Sequence, residues 1–326
     1  MIISRYFLKR KDFDVKRSEN DNKPGGVIAI DKPEGITSHD VVFKIRKLFG
    51  TARVGHTGTL DPMATGVLVV LIGRAAKACE FISKDSKRYI ATLRLGYETD
   101  TEDITGDITS DLVMSDDDVY PALDEVRDAA NAFVGKIVQI PPMYSALKVD
   151  GRKLCDLARE GIEIERAGRE IEVYSIDVKP TENKREFILD VHCSGGTYIR
   201  TLCSDIGKKL GTGGVMATLC RSEASGIALS DAYTLEVLRE MSEDERWEKI
   251  MPTEYLFTNH EKIKLPAFYE RLFRSGCPIY LKKIGMNLPL GQRVRIADAD
   301  GSFFALGEIV DAEEGIAVKS LKIFSL

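Results

Sequence analysis

Residues 55–72 read Gly55-His56-Thr57-Gly58-Thr59-Leu60-Asp61-Pro62-Met63-Ala64-Thr65-Gly66-Val67-Leu68-Val69-Val70-Leu71-Ile72. The first twelve residues are rich in glycine and threonine and include an Asp-Pro pair, a composition typical of a turn-forming loop. The last six are all apolar and predict a buried strand. Asp61 is thus a single carboxylate between a loop and a buried strand, where a chain can hold a nucleophile in a shielded pocket.

Composition alone leaves other interpretations of this loop open. The same residue types form ordinary turns, in which Asp61 would have only a structural role. Glycine-rich loops also present backbone N–H groups to phosphates, but no Gly-Lys-Ser or Gly-Lys-Thr follows and the GxGxxG spacing is absent. Composition therefore favours a structural turn, and it favours a phosphate-binding loop least.

The whole chain has the composition of a globular protein with two domains. Its 326 residues are 44% hydrophobic, which is ample for a buried core and rather long for one domain. No apolar run approaches the roughly 18 residues of a membrane span, and we expect a cytoplasmic protein without a membrane partner. The six cysteines form no CxxC pair and the four histidines are scattered, so we expect free thiols and no metal site.

The net charge of −5 conceals an uneven distribution along the chain. Residues 1–90 contain 17 Lys and Arg against 10 Asp and Glu, whereas residues 97–130 contain one Arg against 12 acids. The basic part carries the Asp61 loop and is suited to phosphates, which supply much of the affinity of proteins for nucleic acids. Two solvated faces without a partner would give the same pattern, so charge alone leaves RNA binding open.

Apolar periodicity predicts alternating strands and helices after a mobile, highly charged tail at 1–24. Strands are predicted at 27–30, 67–72, 88–95 and 187–193, and helices at 38–49, 74–83, 121–134 and 197–210. The acidic stretch 99–118 predicts an exposed excursion. Arg200 falls in the first turn of a helix that follows a strand and the turn Gly195-Gly196, a junction of the kind where sites are commonly built.

The texture of the sequence changes at about residue 258. A short helix at 266–274 is followed by apolar runs at 279–281, 293–296, 303–306 and 316–318. Glycines and polar turns separate these runs, which is typical of a small β-barrel. We therefore expect one domain at 25–257 and a second at 258–326.

Several blocks of this sequence resemble the TruB family of tRNA pseudouridine synthases. The signature at residues 55–68 is joined by Ile30-Asp31-Lys32-Pro33-Glu34-Gly35 with Thr37-Ser38, by Lys87-Arg88-Tyr89, by residues 139–148 and 193–202, and by Leu219-Cys220-Arg221. The C-terminal strands resemble the PUA-like RNA-binding domain that ends many bacterial members. The resemblance implies an α/β (α+β) fold, with a mixed, largely antiparallel sheet flanked by helices and a small C-terminal PUA-like β-barrel.

The resemblance also implies an activity, the isomerisation of uridine 55 in the TΨC arm of tRNA to pseudouridine. Asp61 would be the nucleophile and Arg200 its ion-pair partner. The reaction gains no atom and changes no oxidation state, so no cofactor and no metal is expected. We expect a monomer that binds tRNA through the T-arm stem-loop. The positions expected to bind the substrate or support its pocket are His56, Tyr89, Tyr198, Leu219 and Lys32.

Each of these residues has a definite expected role. Burial of Asp61 would raise the pKa of its carboxyl group, and Arg200 is the cation expected to oppose this. Tyr89, Tyr198 and Leu219 would hold the target base, His56 would fill the space that the flipped nucleotide leaves, and Lys32 would support the pocket or meet a phosphate.

The residues by themselves leave structural alternatives. Arg200 could cap nearby carbonyl groups or pair with Asp205, Tyr89 and Leu219 could be plain core residues, and Lys32 could be a turn lysine in solvent. Two other functions also stay open: a guide-RNA-dependent synthase that works inside a ribonucleoprotein, and a non-catalytic protein that binds and refolds tRNA in the same cleft.

Overall fold

The computed structural model of the protein describes Lys23 and residues 25–82, 86–110, 114–115 and 117–325. Apart from Lys23, the predicted tail lies outside the described residues, and so does Ser83 at the end of one predicted helix. None of the described helices combines the length and the hydropathy that crossing a membrane requires.

The described residues form strands and helices that we number in chain order. The strands are β1 Gly26–Lys32, β2 Val54–His56, β3 Thr65–Ile72, β4 Lys87–Leu95, β5 Gly135–Gln139, β6 Lys148–Val149, β7 Arg152–Lys153, β8 Arg169–Pro180, β9 Glu186–Cys193, β10 Gly214–Ala224, β11 Ile227–Ala228, β12 Met251–Pro252, β13 Glu261–Lys264, β14 Ile279–Tyr280, β15 Arg293–Ala297, β16 Phe303–Ala312 and β17 Gly315–Ile323. The α-helices are α1 Ser38–Phe49, α2 Cys79–Ile82, α3 Leu123–Asn131, α4 Leu154–Arg159, α5 Ile199–Leu210, α6 Leu235–Glu240, α7 Glu243–Glu248 and α8 Ala267–Arg274.

A ten-stranded sheet forms the main body of the described chain. Its strand order is β12-β1-β3-β10-β4-β9-β8-β5, with β2 paired to β3 and β11 paired to β10. All of these pairs are antiparallel except β3 with β10, which run parallel. The predicted mixed, largely antiparallel sheet is confirmed.

The parallel pair β3–β10 requires glycine at Gly66, where the Asp61 loop enters the sheet. Gly66 has a φ of 96° and lies opposite Arg221, and a Cβ atom added to it would collide with the Arg221 backbone. The close approach brings the start of β3 beside Leu219 and Arg221.

Helix α1 has the end signals that its sequence predicts. Thr37 accepts a hydrogen bond from the N–H of Asp40, and the Asp40 carboxylate accepts one from the N–H of Thr37, which forms a capping box. Gly50 ends the helix in the left-handed conformation, with φ 59°. Both ends of α1 are therefore defined by hydrogen bonds at their caps.

The principal core lies between the main sheet and the helices α1, α3 and α5. It is formed by side chains such as Ile30, Val41, Ile45, Phe49, Leu68, Val70, Leu93, Val126, Leu202 and Ile206. The predicted helix at 74–83 is shorter than expected, because residues Gly73–Ala78 form a 3₁₀ helix and only α2 is α-helical.

The C-terminal residues form a separate five-stranded sheet with the order β13-β15-β16-β17-β14. Its own core includes Phe273, Val294, Ile296 and Phe304. Pairing between the end strands β13 and β14 is absent among the described residues, so the predicted small β-barrel is a curled half-barrel. A second apolar cluster joins this sheet to the opposite face of β1 and β3; it includes Val27, Val69, Leu71, Phe257, Leu306 and Phe324. The division at residues 257 and 258 stays a prediction.

Candidate active site

Asp61 lies in the loop between β2 and β3, and hydrogen bonds hold its neighbours on both sides. The Ser38 hydroxyl accepts from the Leu60 N–H at 2.8 Å and donates to the Leu60 carbonyl at 3.1 Å. The Pro62 carbonyl accepts from the Gly35 N–H at 2.8 Å. Because the flanking backbone is fixed, the Asp61 side chain has a defined direction, and 35% of it remains exposed.

Arg200, in the first turn of α5, contacts three different segments through one buried guanidinium group. Its Nε lies 3.0 Å from Oδ2 of Asp61, and its Nη2 donates to Oδ1 at 3.4 Å. Nη1 donates to the Thr101 carbonyl at 2.9 Å and Nη2 to the Tyr144 carbonyl at 2.7 Å. The arginine therefore both pairs with Asp61 and caps carbonyl groups, the first of its two structural alternatives.

The surroundings of Asp61 act on its pKa in opposite directions. Burial raises the pKa of the Asp61 carboxyl group, and this is the dominant effect. Arg200 opposes it, while the like charge of Asp103 adds to it and Lys32 again opposes it. The resulting pKa is above the ordinary value, so Arg200 offsets the effect of burial only in part.

Part of the acidic segment packs against Arg200. The predicted exposed excursion is therefore wrong for Thr99 and Asp103, which are buried. Asp103 accepts hydrogen bonds from the Thr101 hydroxyl and from both the N–H and the hydroxyl of Thr105. Its Oδ2 lies 3.9 Å from Nη1 of Arg200. The acid that accompanies Asp61 at Arg200 is thus Asp103, and among the described residues Asp205 forms no ion pair with Arg200.

Asp61 and Arg200 open into a cavity of about 320 Å³. Five of the seven predicted site residues line it: Asp61, Tyr89, Tyr198, Arg200 and Leu219. They come from the Asp61 loop, from β4 and β10, and from the start of α5. Thr57, Ser145, Gly196 and Lys87 are among the other lining residues. The cavity is large enough for a small-molecule-sized group and combines apolar walls with one ion pair.

The side chains that would hold a base are fixed by the sheet and by α5. Tyr89 and Leu219 are 7% and 8% exposed, so each has most of its surface in the core and a small part in the cavity. Tyr198 precedes α5, and its backbone N–H and carbonyl both bond the side-chain amide of Gln139, at 2.8 and 3.0 Å. Gln139 is itself 3% exposed, which makes it a buried support for Tyr198.

Lys32 and His56 lie outside the cavity lining. Lys32 is fully buried and its Nζ donates to the carbonyls of Pro33, Ile36 and Pro62. Burial lowers its pKa to about 8. The solvent-exposed turn lysine is therefore wrong, whereas support of the pocket and contact with a phosphate stay predictions for Lys32.

His56 ends β2 and is half-buried, with its Nδ1 accepting from the Gly58 N–H at 3.3 Å. Burial, with Arg221 as the next cause, lowers the pKa of its imidazole. A lowered pKa favours the neutral ring, and the predicted role of His56 beside a flipped nucleotide stays a prediction.

Arg221 is the principal site residue that sequence reasoning missed. It is 1% exposed, lines the cavity, and donates to the carbonyls of Val67 at 2.7 Å and Gly58 at 3.1 Å. Burial raises the pKa of Tyr89 and dominates, whereas the positive charge of Arg221 acts to lower it. The family-like block Leu219-Cys220-Arg221 was the signal available in the sequence.

We find no set of side chains that could bind a metal ion in the part of the chain that the structure describes. No group of three or more His, Cys, Asp or Glu side chains lies close enough together to hold an ion.

Comparison with known proteins shows to which family the chain is similar. The model of the TruB family pseudouridylate synthase N-terminal domain matches residues 46–199, and that of the tRNA pseudouridylate synthase B C-terminal domain matches residues 200–258. A protein named tRNA pseudouridine synthase B from Alkaliphilus oremlandii is 44% identical over 82% of this chain and 88% of its own length. The chain belongs to the TruB family. A second TruB relative, from Clostridium tetani, is 40% identical over 91% of this chain and 99% of its own length.

Solved structures extend the similarity of this TruB family member to the fold. The chain in a crystal structure of a Cbf5-Nop10-Gar1 complex has 26% identity and a TM-score of 0.66, covering 92% of this chain and 85% of that one. The chain in an archaeal box H/ACA sRNP Nop10-Cbf5 complex has 25% identity and a TM-score of 0.66, covering 95% and 89%. The predicted fold class and the predicted enzyme class, a pseudouridine synthase and hence an isomerase, are confirmed.

Proposed function

We propose that this pseudouridine synthase acts alone on tRNA and isomerises uridine 55 in the T arm. The observation that carries the proposal is the Asp61–Arg200 ion pair at a cavity lined by Tyr89 and Leu219. The relatives named tRNA pseudouridine synthase B, which match most of the chain, support tRNA as the substrate.

Asp61 is the nucleophile in the proposed reaction. The carboxylate attacks C1′ of the target ribose, the C1′–N1 bond breaks, and uracil leaves with the electron pair of that bond. The base turns and C5 forms the new bond to C1′, releasing the carboxylate. The proton lost from C5 is balanced by one gained at N1, so the sum is an isomerisation that needs no oxidant or cofactor.

The base-binding roles follow from the positions of the aromatic and apolar walls. Tyr89 offers a fixed ring on which uracil stacks, an interaction worth about 1–3 kcal/mol. Tyr198 and Leu219 line the same cavity, and Lys32 and Arg221 bond carbonyl groups of the Asp61 loop. The enzyme must reach both the ribose carbon and the base, so the target nucleotide leaves its stack, and His56, at the end of β2, fills the gap that flipping leaves.

A guide-RNA-dependent reaction is the second candidate, because the similar solved structures are Cbf5 complexes. An unmodified tRNA transcript, incubated with the protein but without guide RNA or cofactor, separates the two. Pseudouridine mapped at position 55 supports the proposal, and pseudouridine formed only when a guide RNA is added supports the second candidate. Tight binding without any pseudouridine would point to a non-catalytic RNA-folding protein. The Asp61→Asn variant is the matched control for chemistry.

A further inference from the structure

Ser38 is a buried side chain that contacts the Asp61 loop and to which the proposed mechanism gives no role. It is the first residue of α1 and is 2% exposed. Its hydroxyl accepts from the N–H of Leu60 and donates to the carbonyl of the same residue. Leu60 directly precedes Asp61 and is itself 3% exposed, so neither of its backbone groups has ready access to water.

This double contact needs a side chain that both donates and accepts hydrogen bonds, as a hydroxyl group does. A serine or threonine oxygen donates one hydrogen bond and accepts others, so it can bond both the N–H and the carbonyl of one residue. An aliphatic side chain at position 38 would leave two buried backbone groups of Leu60 without these partners, and such groups are rarely left unpaired in folded proteins.

The contact lies opposite a second support. Gly35 and Lys32 bond the carbonyl of Pro62, the residue that follows Asp61. Ser38, Gly35 and Lys32 all belong to the segment that runs from the end of β1 to the first turn of α1. Hydrogen bonds from this segment therefore hold the backbone on both sides of Asp61. Within the described ranges, the Asp61 side chain forms its ion pair and hydrogen bond with Arg200.

We propose that Ser38 is a positioning residue for the reaction: its hydroxyl fixes the backbone of Leu60 and thereby keeps the Asp61 carboxylate on Arg200 and aimed at the ribose. The inference rests on the proposed function for its kinetic consequence. It makes Ser38 important for the chemical step rather than for the affinity for tRNA, since the residue is buried and cannot contact RNA.

The test uses a pair of variants with the same shape. Ser38→Thr keeps the hydroxyl and Ser38→Val replaces it by a methyl group, so the added bulk cancels in their comparison. Thr37→Val is the matched control, because it removes the exposed neighbouring hydroxyl that caps α1 and leaves Leu60 untouched. Single-turnover rates at saturating tRNA, tRNA dissociation constants and the pH dependence of the rate are measured for all three.

We expect Ser38→Val to be slower than Ser38→Thr by on the order of 10- to 100-fold, with equal tRNA affinity, because small displacements of a reacting group have effects of this size. The acidic limb of its pH profile should move to higher pH, since an Asp61 carboxylate farther from Arg200 loses the cation that lowers its pKa. Asp103 and Lys32, which also act on the pKa of Asp61, and Tyr89 and Tyr198, on which Asp61 acts, are unchanged in both variants. Thr37→Val should retain the wild-type rate.

Three outcomes would overturn the inference: equal rates for Ser38→Val and Ser38→Thr, an equal loss for Thr37→Val, or a loss confined to tRNA affinity. A wild-type protein that makes no pseudouridine would instead refute the proposed function. In that case amide hydrogen exchange at Leu60 still tests the contact, which predicts faster exchange in Ser38→Val and not in Ser38→Thr.

Discussion

Replacing Arg200 by lysine keeps one positive charge and removes the planar fork that joins three segments. The wild-type guanidinium contacts Asp61 through Nε and Nη2, the Thr101 carbonyl through Nη1 and the Tyr144 carbonyl through Nη2. A single ammonium nitrogen cannot occupy all of these positions. We therefore expect the lysine in Arg200→Lys to lose either the two hydrogen bonds to carbonyl groups or the ion pair with Asp61.

The magnitude follows from the two hydrogen bonds to carbonyl groups that a lysine cannot reproduce. Hydrogen bonds that involve a charged group contribute about 1.5–3 kcal/mol each. Removal of both, at the lower end of that range, decreases the free energy of unfolding by about 3 kcal/mol. The turnover number should fall about 100-fold or more, because Asp61 then loses its defined orientation.

Arg88→Lys is the matched control for this variant. Arg88 also forms a two-bond fork to an aspartate, Asp190, with distances of 2.7 and 2.9 Å, but the arginine side chain is 52% exposed. Exposed pairs contribute about 0–1 kcal/mol, so this variant should unfold almost like the wild type and keep its turnover. Urea unfolding and steady-state kinetics on tRNA give both quantities. Wild-type kinetics in Arg200→Lys, or equal destabilisation of the two variants, would refute the reasoning.

Asp61→Asn should abolish pseudouridine formation while tRNA still binds, and residual turnover in a quantitative assay would reject the nucleophile. Burial raises the pKa of Asp61 in the folded state, so above this pKa the ionised carboxylate lowers the free energy of unfolding. Asp61→Asn removes that charge and should not unfold more easily than the wild type at pH 7. A clear drop in its free energy of unfolding would contradict this. Lys32 has a pKa of about 8 in the fold against 10.5 unfolded, so the folded chain holds fewer protons between these values. Stability of the wild type relative to Lys32→Met should therefore rise across that interval by up to about 3 kcal/mol, and parallel pH curves for the two proteins would speak against it. The affinity for tRNA should fall as salt is added, and a flat response measured by filter binding would remove the electrostatic part of the proposal.

Local sequence signals predicted the elements that carry strong apolar patterns. The strand at 67–72, the helix at 38–49 and the alternation of β4 are all present in the structure. The strand β10 was not predicted, because Gly214–Ala224 mixes Thr, Arg, Ser and Glu with its apolar residues and shows no simple period. Its core position comes from pairing with both β3 and β4, which is information that the segment itself does not contain.

The candidate site divides in a similar way. The predicted pairing of Asp61 with Arg200 is observed, although 139 residues separate them; it came from the family resemblance rather than from spacing. Asp103 and Gln139 were missed as site residues, and the burial of Lys32 was not foreseen. Gln139 and Lys32 bond backbone groups, and Asp103 bonds its near neighbours Thr101 and Thr105. Such contacts depend on where the chain runs and leave no pattern in residue type. The roles of the individual residues stay predictions until variants are measured.

The apolar cluster between the C-terminal half-barrel and the main sheet affects how a truncation would behave. Phe257, Leu306 and Phe324 cover one face of β1 and β3, and the opposite face of these strands adjoins α1 and the Asp61 loop. Truncation after residue 257 would expose the apolar face of β1 and β3 to water, and exposed apolar surface favours self-association. A truncated protein could then lose activity because the Asp61 loop is displaced, and not only because it binds RNA more weakly.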